Sequence, residues 1–180
     1  ILLGCSLIAF FRHASGRNSD CNKTIARKLP FTVAFTINFG VAPLLFLQVI
    51  YGHFIYASSV LMATYWLSIF AILIFTYYCT YIYRLNYDKA TDFRIILSGF
   101  IAGTLMLVAF IFTCNFALMV NPESWVAYFN NPGGTFLNLA DRTLFPRFLH
   151  SVLASIAVGG LTISLYYDFK KRRGESNVDA

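Results

Sequence analysis

Four long apolar runs restrict what this chain can fold into. They cover residues 31–51, 60–83, 95–120 and 148–167. A helix of about 20 apolar residues crosses the roughly 30 Å hydrocarbon core of a bilayer, because each residue adds about 1.5 Å. Only 12% of the residues are charged, whereas soluble domains carry about a quarter. The sequence therefore predicts an all-α, polytopic transmembrane helix bundle with four full spans.

A fifth apolar run, residues 1–11, is too short to cross a bilayer by itself. As a helix it reaches about 16 Å, roughly half of the hydrocarbon core. We interpret it as a partial N-terminal span and expect further residues upstream of Ile1. All 180 residues are predicted to form one membrane domain, with a long connecting loop at 121–147 and a tail at 168–180.

The basic residues indicate how the bundle is oriented. Twelve of them fall in connections on one side of the predicted bundle, and only Arg142 and Arg147 fall on the other side. The positive-inside rule then places the C-terminus in the cytoplasm and the 121–147 loop outside. We expect a multi-pass protein of a bacterial inner membrane, in contact with the lipid bilayer. This topology accounts for the net charge of +6 without a nucleic-acid partner. The twelve residues are Arg12, Arg17, Lys23, Arg27, Lys28, Arg84, Lys89, Arg94, Lys170, Lys171, Arg172 and Arg173.

One histidine, His150, lies about one turn inside the last predicted span. An ionisable side chain in hydrocarbon is costly, so such residues are functional candidates. Ala154 and Ala157 follow at helical spacing and leave room for a broad ligand such as haem, whose iron binds histidine. The alternative is that these small residues allow close helix packing, while His150 forms a hydrogen bond across the interface.

Other polar residues near the spans leave similar alternatives open. His53, at the outer end of a span, is either an exposed interfacial residue or a second contact for haem or quinol. Gln48 either forms a hydrogen bond between helices or contacts a cofactor or a quinone carbonyl. We expect His13, in the basic loop at 12–28, to be solvated. Gly99 and Gly103 form a GxxxG pattern, which favours a close helix contact.

Several classes of function are not supported by the sequence. It contains no G-x-S-x-G, H-E-x-x-H or G-x-x-x-x-G-K-[ST] motif. The four cysteines form no C-x-x-C pair, which argues against covalent c-type haem. An ion pump normally requires acidic residues within the membrane, and no Asp or Glu lies deep in a predicted span. We assign no catalytic residue.

Three stretches together resemble a known family. The first runs from Ile37-Asn38-Phe39-Gly40-Val41-Ala42 to Tyr51-Gly52, and the second is Tyr83-Arg84-Leu85. The third contains Asn115, then Asn121-Pro122, then Arg147-Phe148-Leu149-His150-Ser151-Val152. Because the three stretches occur in this order, the chain resembles the N-terminal half of the large subunit (subunit I) of cytochrome bd quinol oxidases. The resemblance covers residues 1–170 and suggests a short divergent relative or a fragment.

The resemblance implies a role for His150 as an axial ligand of a b-type haem near the outer, quinol-oxidising face. The second ligand is expected from His53, from a segment upstream of Ile1, or from another chain. The family has a glutamate where Gln48 stands and another acid near Thr64 and Tyr65. A neutral amide supplies neither the charge nor the proton of a carboxyl group, so terminal oxygen reduction is not expected.

These patterns predict a subunit of a respiratory electron-transfer complex. It would bind haem b and pass electrons between the quinone pool and partner cytochrome subunits. One alternative is a cofactor-free structural subunit that anchors a membrane redox complex through helix packing. Another is an unrelated small transporter, which predicts a water-filled cavity lined by Asn38 and Gln48 at mid-membrane.

Overall fold

The computed structural model describes residues 1–16, 20–87, 91–130 and 132–173, and the secondary structure in these ranges is entirely helical. Four of the helices are long and apolar enough to cross a membrane, and a shorter apolar helix stands at the N-terminus. The prediction of an all-α, multi-pass bundle with four full spans and one partial span is confirmed. The helices are α1 (Leu2–Ala14), α2 (Asp20–Ile50), α3 (Gly52–Leu61), α4 (Ala63–Leu85), α5 (Thr91–Met119), a 3-10 helix (Pro122–Phe129) and α6 (Leu144–Arg172).

Helix α2 begins at Asp20, whereas the sequence predicted a span starting at residue 31. Most of the predicted basic loop is therefore helical, and Pro30 lies inside the helix. The reason is an amphipathic pattern that the charges conceal. Ile25, Ala26 and Leu29 are buried at helical spacing, while Arg27 and Lys28 remain exposed.

Two other predicted boundaries also differ. The span predicted at 60–83 is divided at Met62 into the short helix α3 and the long helix α4. Helix α6 begins at Leu144, within the predicted loop, and continues to Arg172, within the predicted tail. Residues 120–143 thus connect α5 to α6, and part of this connection is itself helical.

The two ends of the bundle have different compositions. At one end the last turn of α1, the start of α2 and the last turn of α4 meet at His13, Asn22 and Tyr83. We call this the basic end, because the cations of α2, α4 and α6 lie there. At the other, which we call the loop end, Trp125 of the 3-10 helix donates a hydrogen bond to the Leu118 carbonyl at 2.9 Å.

The connection between α5 and α6 is anchored to the junction of α3 and α4. The Phe136 amide donates to the Leu61 carbonyl at 3.0 Å, and the Thr64 amide donates to the Gly134 carbonyl at 3.1 Å. Gly134 has a φ of 66° and lies against Ala63, so a side chain there would be strained.

Helix α1 occupies a central place, packed against α2, α5 and α6. It crosses α6 at two glycines: a Cβ on Gly4 would overlap the carbonyl oxygen of Ser155, and a Cβ on Gly159 would lie 2.8 Å from the carbonyl carbon of Gly4. The predicted GxxxG pattern has a smaller part. A Cβ on Gly99 would meet only the Phe10 ring, and one on Gly103 would have no described atom within 4 Å.

Candidate functional site

His150 lies on an exposed face of α6. It is six residues from Leu144, where the helix begins, which corresponds to about 9 Å along the axis. Two residues earlier, Phe148 contacts the Phe110 ring of α5 at a centroid distance of 5.3 Å. Because successive residues turn by about 100°, His150 points to the opposite side of α6 from this contact. Its side chain is exposed, as are those of Leu149 and Leu153.

The small residues of α6 divide into two faces. Ser155 and Gly159 lie against α1 and allow the close helix crossing at Gly4. Ala154 and Ala157 are exposed, on the same stripe as His150 at spacings of four and three residues. Small residues on one side of α6 thus pack against α1, and small residues on the other side form an open surface beside His150.

His53 and Gln48 are also exposed, at the loop end. His53 lies in the first turn of α3, and Gln48 lies in the last turn of α2. Within the described parts of these helices, no Cα atom of α2 or α3 lies within 8 Å of one in α6. The structure therefore does not bring His53 or Gln48 together with His150.

The buried histidine is His13, and the expectation that it is solvated was wrong. Its side chain is only 2% exposed, and its Nε2 atom lies 2.7 Å from the Tyr83 hydroxyl oxygen. Its Nδ1 atom lies 3.5 Å from the Asn22 amide nitrogen. The prediction failed because residues 20–30 fold as a helix over it. A signal was present in the sequence: Leu2, Ala9 and His13 continue one buried stripe of α1.

Through its contacts with Asn22 and Tyr83, His13 links α1 to α2 and α4. The ring meets the Tyr83 ring edge-on at 6.2 Å and the Tyr87 ring at 5.8 Å. Arg94, at the start of α5, stacks over the other side of this group, 5.2 Å from the Tyr87 centroid. Buried polar side chains that satisfy one another in this way fix helix positions, because an unpaired group would be costly. Its geometry supports a structural role.

A large cavity of about 1160 Å³ lies between α2, α4 and α5, beside the first residues of α1. Its walls are mostly apolar, with polar atoms from Asn38 and from Tyr77 and Tyr81, whose hydroxyls are 3.2 Å apart. The Asn38 amide donates to the Ala34 carbonyl of its own helix at 2.8 Å. The transporter alternative predicted a cavity lined by Asn38 and Gln48. Of these two residues, Asn38 lines this cavity and Gln48 does not.

The cavity and His150 are separate features. Neither a residue of α6 nor any histidine, cysteine or methionine is among the described residues that line the cavity. No group of three His, Cys, Asp or Glu side chains suited to a metal ion occurs within the described ranges.

The motif residues that suggested a family have distinct places in the fold. Asn115 is buried in α5, where its amide donates to Ser59 Oγ at 3.4 Å and its oxygen accepts from Ser58 at 3.4 Å. Asn121 and Pro122 begin the 3-10 helix, and His150 lies on α6. Comparisons with protein families, with curated proteins and with solved structures find no match to this chain.

Proposed function

We propose that the protein is a bd-oxidase-like membrane subunit of a respiratory electron-transfer complex. In this proposal it binds a b-type haem and passes electrons between quinol and partner cytochrome subunits. The observation that carries the proposal is the exposed position of His150 on a membrane-spanning helix. A histidine held at this depth and not covered by any described helix of its own chain is costly unless another molecule covers it.

The residues around His150 fit one side of a haem. The imidazole supplies one axial nitrogen, and the exposed Ala154 and Ala157 leave a flat surface below it. Bound haem would supply a one-electron carrier. His53 and Gln48 lie away from α6, so we propose that the second axial ligand comes from a segment upstream of Ile1 or from a partner subunit. Oxygen reduction is not part of the proposal, because Gln48 is a neutral amide.

The proposed location is the bacterial inner membrane, with the basic end and the C-terminus in the cytoplasm. The grouping of cations at one end of the bundle supports this orientation. Arg84 at the end of α4 and the basic last turn of α6 lie at the same end as the start of α2. Quinol oxidation would then occur at the loop end, where His150 lies.

A second candidate is a cofactor-free subunit that anchors a membrane redox complex. The long apolar faces of α2 and α6 favour it, because both helices are largely exposed in the described chain. Phe31, Phe35 and Phe39 form an exposed row on α2, and Leu161 and Leu165 are exposed on α6. Partner helices could cover these surfaces without any cofactor.

Difference spectroscopy separates the two candidates. The protein is purified with its native partners in mild detergent, and reduced-minus-oxidised spectra are recorded for the wild type and for His150→Ala. We expect a b-type α-band in the wild type that is lost or shifted in His150→Ala. His53→Ala is the matched control, because it removes another exposed histidine, and its spectrum should be unchanged.

Two results would contradict the haem proposal. One is a wild-type complex with no haem absorption assignable to this chain. The other is a His150→Ala spectrum equal to that of the wild type. If the partners still co-purify with His150→Ala in either case, the anchoring function is favoured.

A further inference from the structure

The basic ends of α2 and α6 lie side by side but are not in close backbone contact. The Tyr167 hydroxyl donates to Thr24 Oγ1 at 3.4 Å, and the Lys28 ammonium lies 4.2 Å from the centre of the Tyr166 ring. No pair of Cα atoms from the described residues of the two helices is within 8 Å. Helix α1 packs against both helices. Long side chains thus bridge a gap, which we call the α2–α6 cleft.

The charge in this cleft is strongly positive. Arg27 and Lys28 are exposed on α2, and Lys170 follows Tyr166 by one turn on α6. Asp168 is the one acidic residue among the described side chains of α2 and α6, and its carboxylate already pairs with Arg172 at 2.9 Å. Among the described side chains, a phosphate group in the cleft would therefore meet cations with little competing negative charge.

An apolar surface continues directly from the cations toward the centre of the bundle. Lys28, Phe31 and Phe35 are spaced by three and four residues, so they share one side of α2. The ring centroids of Phe31 and Phe35 lie 5.7 Å apart, and those of Phe35 and Phe39 lie 4.3 Å apart. All three rings are exposed. The surface is amphiphilic, with a basic site at the membrane interface and an aromatic row at acyl-chain depth.

We propose that the α2–α6 cleft binds an anionic diacyl phospholipid. Its phosphate pairs with Lys28 and with the lysines in the last turn of α6, and its acyl chains lie along Phe31, Phe35 and Phe39. The charge selects an anionic headgroup over a zwitterionic one. The aromatic row selects a lipid over a free phosphate, since only a lipid buries that surface. The site does not depend on haem, and a partner helix that covered Phe31, Phe35 and Phe39 would compete with the lipid for it.

Native mass spectrometry of the full chain in detergent tests this site. The protein is titrated with phosphatidylglycerol and, separately, with phosphatidylcholine, for the wild type, Lys28→Gln and Arg84→Gln. Arg84 is the matched control, because it is an exposed cation at the same end of the bundle, on α4. We expect the wild type to prefer phosphatidylglycerol and Lys28→Gln to lose about five-fold in affinity for it, as for one charge at a membrane surface. Arg84→Gln should bind like the wild type.

Three results would overturn the proposal. They are a wild type with no preference for phosphatidylglycerol, equal losses in Lys28→Gln and Arg84→Gln, and displacement of the lipid by millimolar inorganic phosphate. A second measurement uses the wild type alone, so it does not depend on whether the variants fold. Photoactivatable phosphatidylglycerol should label residues 21–39 and 158–173 of the wild type, and labelling confined to other helices would contradict the site.

Discussion

The Nε2 atom of His13 lies 2.7 Å from the hydroxyl oxygen of Tyr83, and this contact joins the end of α1 to the end of α4. Both side chains are buried, so water cannot replace either partner. Asn22, from the start of α2, approaches the other ring nitrogen at 3.5 Å. A single imidazole therefore holds three helix ends at the basic end of the bundle.

Replacing His13 by alanine should lower the free energy of unfolding by about 2–3 kcal/mol, because it leaves a buried Tyr83 hydroxyl unpaired and opens a cavity. Unfolding in mixed detergent micelles measures the change. His53→Ala removes an exposed histidine and should change stability by less than about 0.5 kcal/mol. Equal stabilities of the two variants would show that the His13–Tyr83 contact does not hold the bundle.

The α1–α6 crossing should tolerate no side chain at Gly4. Gly4→Ala places a methyl group against the Ser155 carbonyl, and neither backbone can yield easily. We expect a loss of about 2 kcal/mol, the usual cost of overpacking. Gly40→Ala is the control, since no described heavy atom lies within 4 Å of a Cβ there. Thermal unfolding in detergent compares the two, and a Gly4→Ala midpoint equal to that of Gly40→Ala would argue against the crossing.

Asn115 should attach α3 to α5 through its bonds to Ser58 and Ser59. Asn115→Leu removes both bonds, and hydrogen bonds between membrane helices are worth about 0.6 to 1.7 kcal/mol. We expect faster amide hydrogen exchange in α3, with α6 unaffected. Asn38→Leu is the comparison, because among the described residues the Asn38 amide donates only to the Ala34 carbonyl of its own helix. Unchanged exchange in α3 would refute the role of Asn115.

The pKa of Asp141 should lie below its ordinary value. The backbone N–H and the hydroxyl of Thr143 each donate to its Oδ1 atom at 2.8 Å, and both bonds favour the ionised carboxylate. Thr143→Ala removes the hydroxyl bond, so it should move the Asp141 titration midpoint upward. The side-chain carboxyl carbon, followed by NMR, reports this midpoint. Thr162→Ala, in the middle of α6, should leave it unchanged.

The same pKa shift has a consequence for stability. A carboxyl group whose folded pKa is lowered contributes stability above its unfolded pKa of about 3.9 and loses it as the pH falls through the folded pKa. The entry to α6 should therefore weaken in acid, by at most about 0.5 kcal/mol because Asp141 is near the surface. Asp141→Asn should remove this pH dependence, and an acid transition that persists in Asp141→Asn would assign it to another group.

The charge pattern was a less complete guide than the apolar runs. Arg27 and Lys28 indicated a polar loop, yet Ile25, Ala26 and Leu29 beside them are buried on α2. A helix that enters the membrane from water carries both kinds of residue on different faces. The helical spacing of these apolar residues is visible in the sequence. The sequence does not show which helices cover them, because that depends on how α1 and α4 pack against α2.

The sequence by itself determined the helical class and the four spans, because a bilayer accepts only long apolar segments whose backbone groups are satisfied internally. Only the tertiary structure decided which histidine is buried. His13 is covered by α2 and Tyr83, while His150 remains on an open face of α6. Hydropathy measures how each residue partitions into lipid. Hydropathy gives no information on how each helix is rotated about its axis, because packing between neighbouring helices sets that rotation.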